Sequence, residues 1–234
     1  MSLSHEMSQP SWAFPVTALI LCGGRGRRMG RDKAWLPWRD RPMLQHLARR
    51  FELWKVPVHI VAQVDQRLPE LPSNTTVSRD RRPHGGPALG LIQGLEEIRD
   101  ATKPLAAPSW IWATSCDSPE PVAGCLAAIL DRVPPTHAAH DHPLAIIPRD
   151  EHRSYPLNAF YQGSAASMMR ALADDGELRL RTLVSRLPTR WVELEELRGF
   201  DPRLRTFWNI NAPEDYQRYQ QELAIEEERS QESP

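Results

Sequence analysis

The chain has 234 residues, with 29 Lys and Arg residues against 30 Asp and Glu residues, and a formal net charge of −1. This length suits one domain with an adequate core, and the balanced charge argues against a broad nucleic-acid or anionic-membrane surface. No apolar stretch is long enough to span a bilayer, the start lacks a signal-peptide core, and the three cysteines have no C-x-x-C spacing. We therefore expect a cytoplasmic protein that binds neither nucleic acid nor membrane.

Composition divides the chain into a flexible N-terminal tail over 1–14, a single domain over 15–221 and an acidic, frayed tail over 222–234. Within the domain, apolar runs alternate with helical periodicities. Strands are predicted over 16–21, 56–61, 75–77, 110–114, 144–147, 155–161 and 190–194. Helices are predicted over 43–54, 122–133, 165–173 and 180–187. Two further helices are predicted, one entered through a glycine-marked turn at 85–95 and one after residue 213. This order predicts an α/β fold of three layers with a mostly parallel, twisted sheet.

A loop rich in glycine and arginine, residues 21–33, follows the first predicted strand. Ligands of open α/β sheets bind at the carboxyl ends of strands, and glycines let backbone N–H groups approach phosphate closely. Arg28 and Lys33 can neutralise a polyphosphate there. The loop lacks the Gly-Lys-Ser/Thr ending of a Walker A motif, and its spacing G-x-G-x-x-x-G does not fit a dinucleotide fingerprint. The alternative is a solvated basic loop that binds nothing.

Two acidic residues also follow predicted strands. Asp80 leads into a glycine-marked helix start, and Asp117 lies in a D-x-P turn after an apolar strand. A carboxylate there can hold Mg²⁺ against a triphosphate, because proteins bind Mg²⁺ through one or two carboxylates together with phosphate oxygens. Asp117 could instead only cap the next helix. Gly90 and Gly94 could instead only let their helix pack closely on a strand.

Polar side chains cluster at two further places. The proline-bounded segment 137–142 holds three histidines and an aspartate, but it lacks the spacing of a structural zinc site, and we interpret it as a solvated loop. Asn209 and Asn211 precede the last predicted helix, where asparagines commonly make turns.

The sequence resembles the MobA-like nucleotidyltransferases that make the molybdenum cofactor dinucleotide, and in particular the molybdenum cofactor guanylyltransferases. Their first-loop pattern, L-x-G-G-x-S-x-R-M-G-x-D-K, departs here at Gly26, where the family often has Ser, and Cys22 stands where Ala is usual. Their last motif, F-x-N-x-N-T-P-E-D, has Ala212 in place of Thr. The matching motifs lie, in the family's order, at residues 21–33, 80–95, 117–119, 156–161 and 207–215.

The resemblance implies a Rossmann-like nucleotidyltransferase fold that transfers GMP from GTP to the phosphate of molybdopterin and releases pyrophosphate. It implies Mg²⁺ as cofactor, with Asp117 as its ligand, and molybdoenzyme-maturation proteins as further partners. The implied catalytic residues are Arg28, Lys33 and Asp117. The implied nucleotide-binding residues are Leu21, Cys22, Gly23, Gly24, Lys33, Asp80, Gly86 and Asp117. Those implied to lie near the acceptor or metal are Asn158, Asn209 and Asn211.

Three other activities remain open at this point. GTP is favoured over CTP because Asp32 precedes Lys33, whereas cytidylyl relatives tend to have Pro there, and because G-P-x-x-G follows Asp80. The alternatives are a CTP-dependent cytidylyltransferase, another sugar-phosphate nucleotidyltransferase, and a non-catalytic nucleotide-binding adaptor. Retention of Arg28, Lys33 and Asp117 argues against the adaptor, because a binding module has less need of a metal carboxylate.

Overall fold

Strands and helices alternate along the chain in the computed structural model, which describes residues 12, 14–23, 31–82, 85–102, 109–133 and 142–231. The strands are β1 (Val16–Cys22), β2 (Pro37–Trp38), β3 (Arg41–Pro42), β4 (Val58–Ala62), β5 (Thr75–Arg79), β6 (Trp110–Ser115), β7 (Ala145–Arg149), β8 (Asn158–Gln162) and β9 (Thr189–Glu193). The helices are α1 (Met43–Leu53), α2 (Gly86–Thr102), α3 (Ala123–Leu130), α4 (Ala165–Asp174), α5 (Leu180–Ser185), α6 (Leu194–Leu197) and α7 (Pro213–Gln231). Short 3₁₀ turns occupy Lys33–Trp35 and Arg205–Phe207.

Among the described residues, seven strands form one sheet in the order β5-β4-β1-β6-β8-β7-β9. Strand β8 runs antiparallel to both of its neighbours, and all other neighbouring strands are parallel. The predicted α/β fold with a mostly parallel sheet is confirmed, with one antiparallel strand in it. Because β1, β4, β5 and β6 run in the same direction, the segments that follow them meet at one edge of the sheet, where ligands of such folds bind.

Helices cover both faces of the sheet, as the predicted three layers require. Alternate side chains of a strand point to opposite faces. Ala18 and Ile20 of β1 pack in an apolar cluster that includes residues of α1 and α3. Leu19 and Leu21 pack in a second cluster, with residues of α2, α4 and α5. Burial on both faces explains why β1 reads as a continuous apolar run.

A third apolar cluster joins α7 to the β2–β3 hairpin. The rings of Trp208 and Tyr219 stack with their centroids 4.3 Å apart. Leu223 of α7 packs in the same cluster as Trp38 of β2 and is only 3% exposed. The C-terminal helix is therefore attached to the segment that follows Lys33.

This packing corrects the predicted domain boundaries at both ends. The boundary at 221 is too early, because α7 continues to Gln231 and buries Leu223, so the acidic composition after 221 does not mark the end of the helix. Within the tail predicted over 1–14, Trp12 and Phe14 pack against the first cluster. Residues 1–11, 13 and 232–234 lie outside the described part of the chain. None of the described helices is both long and apolar enough to cross a membrane.

Helix α2 crosses β1 closely at Gly94, as the packing interpretation of its glycines predicts. A Cβ atom at Gly94 would lie 2.7 Å from Cδ2 of the fully buried Leu19, whereas one at Gly90 would lie 3.7 Å from Leu21 Cδ2. We expect Gly94→Ala to lower the free energy of unfolding by about 1–3 kcal/mol through overpacking. The control Gly90→Ala should not lower it, since alanine is the better helix former. Denaturant unfolding measures both, and equal stabilities would contradict the close crossing.

Candidate functional site

Lys33 and Asp117 meet at the carboxyl edge of the sheet, although 84 residues separate them in the sequence. Lys33 Nζ donates a hydrogen bond to Asp117 Oδ2 at 2.7 Å, and the two side chains are 21% and 17% exposed. Asn211 Oδ1 lies 3.5 Å from the same ammonium group. A cation, a carboxylate and an amide oxygen thus converge where open α/β sheets bind their ligands.

Asp32 orients the short turn that carries Lys33. Its Oδ1 accepts the N–H of Ala34 at 2.9 Å and so caps the turn. Gln66, on the loop after β4, donates its amide to both Asp32 oxygens at 3.0 Å. In the sequence analysis, Asp32 is used only to favour GTP over CTP. Gln66 is not predicted to belong to the site, because it lies in a proline-broken linker. The structure adds a positioning role for both.

The turn that carries Asp117 is held by neighbouring segments. The Ser115 hydroxyl donates to Asp117 Oδ1, and the Asp117 carbonyl accepts the N–H of Ile210 at 2.9 Å. Helix α3 begins only at Ala123, with Val122 as its N-cap and no side-chain cap. The alternative interpretation of Asp117 as the cap of that helix is therefore wrong.

The three predicted asparagines lie in different surroundings. Asn211 is exposed beside Lys33. Asn158 is only 4% exposed, and its Oδ1 accepts the Thr114 hydroxyl at 2.9 Å while its amide donates to Ser118 Oγ at 3.4 Å. Asn158 therefore supports the end of β6 from within the core, which argues against the predicted acceptor contact. Asn209 Oδ1 is buried without a hydrogen-bond partner among the described residues.

The predicted nucleotide-binding residues border the same edge wherever the structure describes them. Leu21 and Cys22 end β1 in buried positions, and Gly23 follows them in an exposed one. Gly24 and Arg28 lie outside the described residues, so the predicted phosphate contacts of the first loop stay a prediction. The histidine-rich segment also lies outside them, apart from His142.

Asp80 and Gly86 shape the turn between β5 and α2. Asp80 Oδ1 accepts the N–H of Arg82 at 2.9 Å, so the carboxylate braces its own turn. Gly86 begins α2 with a φ of 77°, in the left-handed region that favours glycine. Both residues follow β5, one of the parallel strands whose carboxyl ends lie at this edge of the sheet.

Comparison with known proteins identifies the family of the chain. Residues 18–191 match the MobA-like NTP transferase domain. The chain belongs to this family. A probable molybdenum cofactor guanylyltransferase of Methanosarcina acetivorans is 30% identical to it, over 85% of this chain and 87% of that protein. The molybdenum cofactor guanylyltransferase of Syntrophotalea carbinolica is 24% identical, over 88% and 91%.

A solved structure shows the same fold as this MobA-like domain. It is molybdopterin-guanine dinucleotide biosynthesis protein A from Archaeoglobus fulgidus, with a TM-score of 0.67 at 20% identity, covering 89% of this chain and 99% of that one. The near-complete coverage shows that the two chains share one fold.

Two thiols lie at the carboxyl ends of the central strands in the MobA-like domain. Cys22 ends β1, and Cys116 precedes Asp117 and donates its backbone N–H to Leu21. Hydrogen bonding with Cys22, together with burial, raises the pKa of the Cys116 thiol well above its usual value. Cys116 therefore stays protonated at neutral pH and does not supply a thiolate nucleophile.

The side chains of this site fit a Mg²⁺ ion. No group of three or more His, Cys, Asp or Glu side chains in the described part of the chain could hold a metal by itself. Mg²⁺ does not require such a group, because it is commonly bound through one or two carboxylates, phosphate oxygens and water. Asp117 offers a carboxylate and Asn211 a neutral oxygen, which are the hard oxygen donors that this ion prefers.

Proposed function

We propose that the protein transfers GMP from GTP to the terminal phosphate of molybdopterin, which forms the guanine dinucleotide of the molybdenum cofactor and releases pyrophosphate. The observation that carries the proposal is the convergence of Lys33, Asp117 and Asn211 at the ligand edge of a MobA-like domain. The names of the relatives support it. The proposal includes Mg²⁺ as cofactor, a cytoplasmic location, and molybdoenzyme-maturation proteins that receive the product.

Positioning and charge stabilisation dominate this reaction. An oxygen of the acceptor phosphate attacks the α-phosphorus of GTP, while the bond from that phosphorus to the bridging oxygen breaks and its electron pair leaves with pyrophosphate. The attacking phosphate is already ionised at neutral pH, so the reaction needs no general base. Lys33 would stabilise the charge that builds up on the phosphates, and the Asp32 cap holds its turn in place beforehand.

Asp117, with Asn211 nearby, would hold Mg²⁺, whose positive charge lowers the repulsion between the two phosphates. The 2.7 Å pair of Lys33 and Asp117 directs both side chains toward the same space before substrate arrives. The bonds that Ser115 and Ile210 make to Asp117 limit its movement. The chain's own contribution is thus a preorganised pair of opposite charges.

Guanine preference tests this proposal directly. We expect GTP to have a higher kcat/KM than CTP or ATP with the same acceptor, because a carboxylate can accept the adjacent N–H donors of guanine, which cytosine and adenine lack. Asp80→Ala should lower kcat/KM for GTP about 10- to 100-fold, since a hydrogen bond to a charged group is worth about 1.5–3 kcal/mol. CTP used as well as GTP by the wild type would overturn the guanylyl proposal and favour cytidylyl transfer.

Asp80→Asn separates base recognition from bracing of the turn. Asparagine can still accept the Arg82 N–H, because Asn and Asp make the same local turn. If Asp80 contacts guanine, Asp80→Asn should therefore lose GTP preference while remaining as stable as the wild type. Wild-type kinetics in this variant would restrict Asp80 to the turn.

A further inference from the structure

Glu120 is a buried carboxylate three residues beyond Asp117. It is 1% exposed, and it accepts hydrogen bonds from Trp38 Nε1 at 2.7 Å and from Arg39 Nε at 3.0 Å. Arg50 Nη1 approaches the other oxygen, Oε2, at 3.4 Å, and His46 Nε2 lies 3.2 Å from Oε1. A buried carboxylate is costly unless it is paired and hydrogen-bonded, and Glu120 meets both conditions.

The charges around Glu120 keep it ionised. Burial by itself would raise the pKa of Glu120, but the neighbouring His46 and the charges of Arg50 and Arg39 outweigh burial and hold that pKa well below its usual value. Burial lowers the pKa of His46, against the opposing effect of Glu120. The cluster is therefore a carboxylate held by two guanidinium groups and an indole N–H.

This cluster joins the same two segments that carry the reactive pair. Trp38 follows Lys33 by five residues, and Glu120 follows Asp117 by three. The two segments are therefore connected by the partly exposed pair at the ligand edge and also by Glu120 in the core. Arg50 of α1 adds a third connection, because its Nε donates to the Pro121 carbonyl at 3.2 Å.

A bound substrate would replace the contact between Lys33 and Asp117 but not the contacts of Glu120. Lys33 and Asp117 have partly exposed side chains, and under the proposed function both turn to phosphates and Mg²⁺. The Glu120 carboxylate is only 1% exposed, so we expect its contacts to persist when the first connection is replaced. Stability alone does not require such a cluster, since apolar residues of similar volume often replace buried ion pairs without loss.

We infer that Glu120 is a positioning residue that holds the Asp117 turn at a fixed separation from the Lys33 segment during nucleotidyl transfer, an inference that rests on the proposed function. Its side chain does not touch substrate. It acts through Trp38 and Arg39, which extend from the segment of Lys33. A misplacement of about 1 Å between reacting groups can cost about 10²-fold in rate.

The test compares Glu120→Gln with Arg39→Asn. Asparagine suits position 39, whose φ is 54°, and removes the guanidinium from a side chain that is 23% exposed, so this variant tests the contact if Glu120→Gln fails to fold. We expect both to lower kcat about 10- to 100-fold, and to raise KM for GTP by no more than the factor by which Mg²⁺ increases nucleotide affinity. Binding of mant-GTP, a fluorescent GTP analogue, should lose most of the affinity that Mg²⁺ adds, and its Mg²⁺-free affinity should stay unchanged.

Glu96→Gln is the matched control, because Glu96 also pairs with an arginine, Arg170, through two hydrogen bonds of 3.0 Å, but between α2 and α4. It should behave like the wild type. Arg39→Lys, which keeps the charge, should recover part of the lost kcat. Wild-type kcat and Mg²⁺ response in the folded Glu120 and Arg39 variants, or an equal loss in Glu96→Gln, would overturn the inference.

The same experiment separates this inference from the proposed function. A wild type that binds mant-GTP in a Mg²⁺-dependent way but transfers no GMP would contradict the proposed function, while the binding data still decide the role of Glu120. A wild type in which Mg²⁺ adds nothing to mant-GTP affinity would overturn both.

Discussion

Asp117→Asn is expected to abolish Mg²⁺-dependent GMP transfer while the fold survives. Asparagine keeps an oxygen that can accept the Ser115 hydroxyl or the Lys33 ammonium group, but it removes the negative charge that attracts Mg²⁺. Pyrophosphate release from GTP and molybdopterin, followed over a range of Mg²⁺ concentrations, measures the loss. Thermal unfolding establishes that the variant is folded.

Asp215→Asn is the matched control for this substitution. Asp215 accepts the backbone N–H groups of Asn211 and Ala212 at 3.0 and 3.1 Å, at the start of α7. Asparagine at 215 keeps an oxygen that can accept these two N–H groups, so Asp215→Asn should retain activity. Retained activity in Asp117→Asn as well would contradict the metal role and leave Asp117 as a residue that only shapes its turn.

The central strands are predictable from the sequence because burial on both faces leaves continuous apolar runs. Strands β1 and β6 end within one residue of their predicted bounds. The direction of β8 leaves no trace in such a run, because an apolar strand can pair either way, and its antiparallel course appears only in the folded chain. The end of α7 could not be predicted for a different reason, since Leu223, which packs in the third apolar cluster, lies in an acidic stretch of the sequence.

The candidate site, like the fold, is only partly predictable from the sequence. Lys33 and Asp117 are predictable one by one, because each lies in a segment that follows a buried strand at the ligand edge. The contacts that orient them are not, since Gln66 reaches Asp32 across 34 residues and Glu120 reaches Trp38 across 82. Contacts over such separations depend on tertiary packing and leave no periodic pattern. Asn158 is the opposite case. It belongs to a sequence motif, but it is buried in the core, where it supports the end of β6.

Lys33→Ala is expected to lower kcat by about 10²–10³ with little change in stability. Lys33 is the charged group that the capped turn presents beside Asp117, and removal of one preorganised electrostatic donor commonly costs that much in rate. Stability should change little because both partners are partly exposed and exposed ion pairs contribute about 0–1 kcal/mol. Steady-state kinetics with saturating GTP and Mg²⁺, together with denaturant unfolding, measure the two quantities.

Lys55→Asn removes the same charge from an exposed position whose φ of 56° suits asparagine, so it controls for the change in net charge. Its kcat should equal that of the wild type. If Lys33→Ala and Lys55→Asn lowered kcat by the same factor, the effect would be one of overall charge, and the assigned role of Lys33 would be wrong. A large loss confined to Lys33→Ala, in a protein that unfolds at the wild-type denaturant concentration, would instead support a role of its ammonium group in stabilising the transition state.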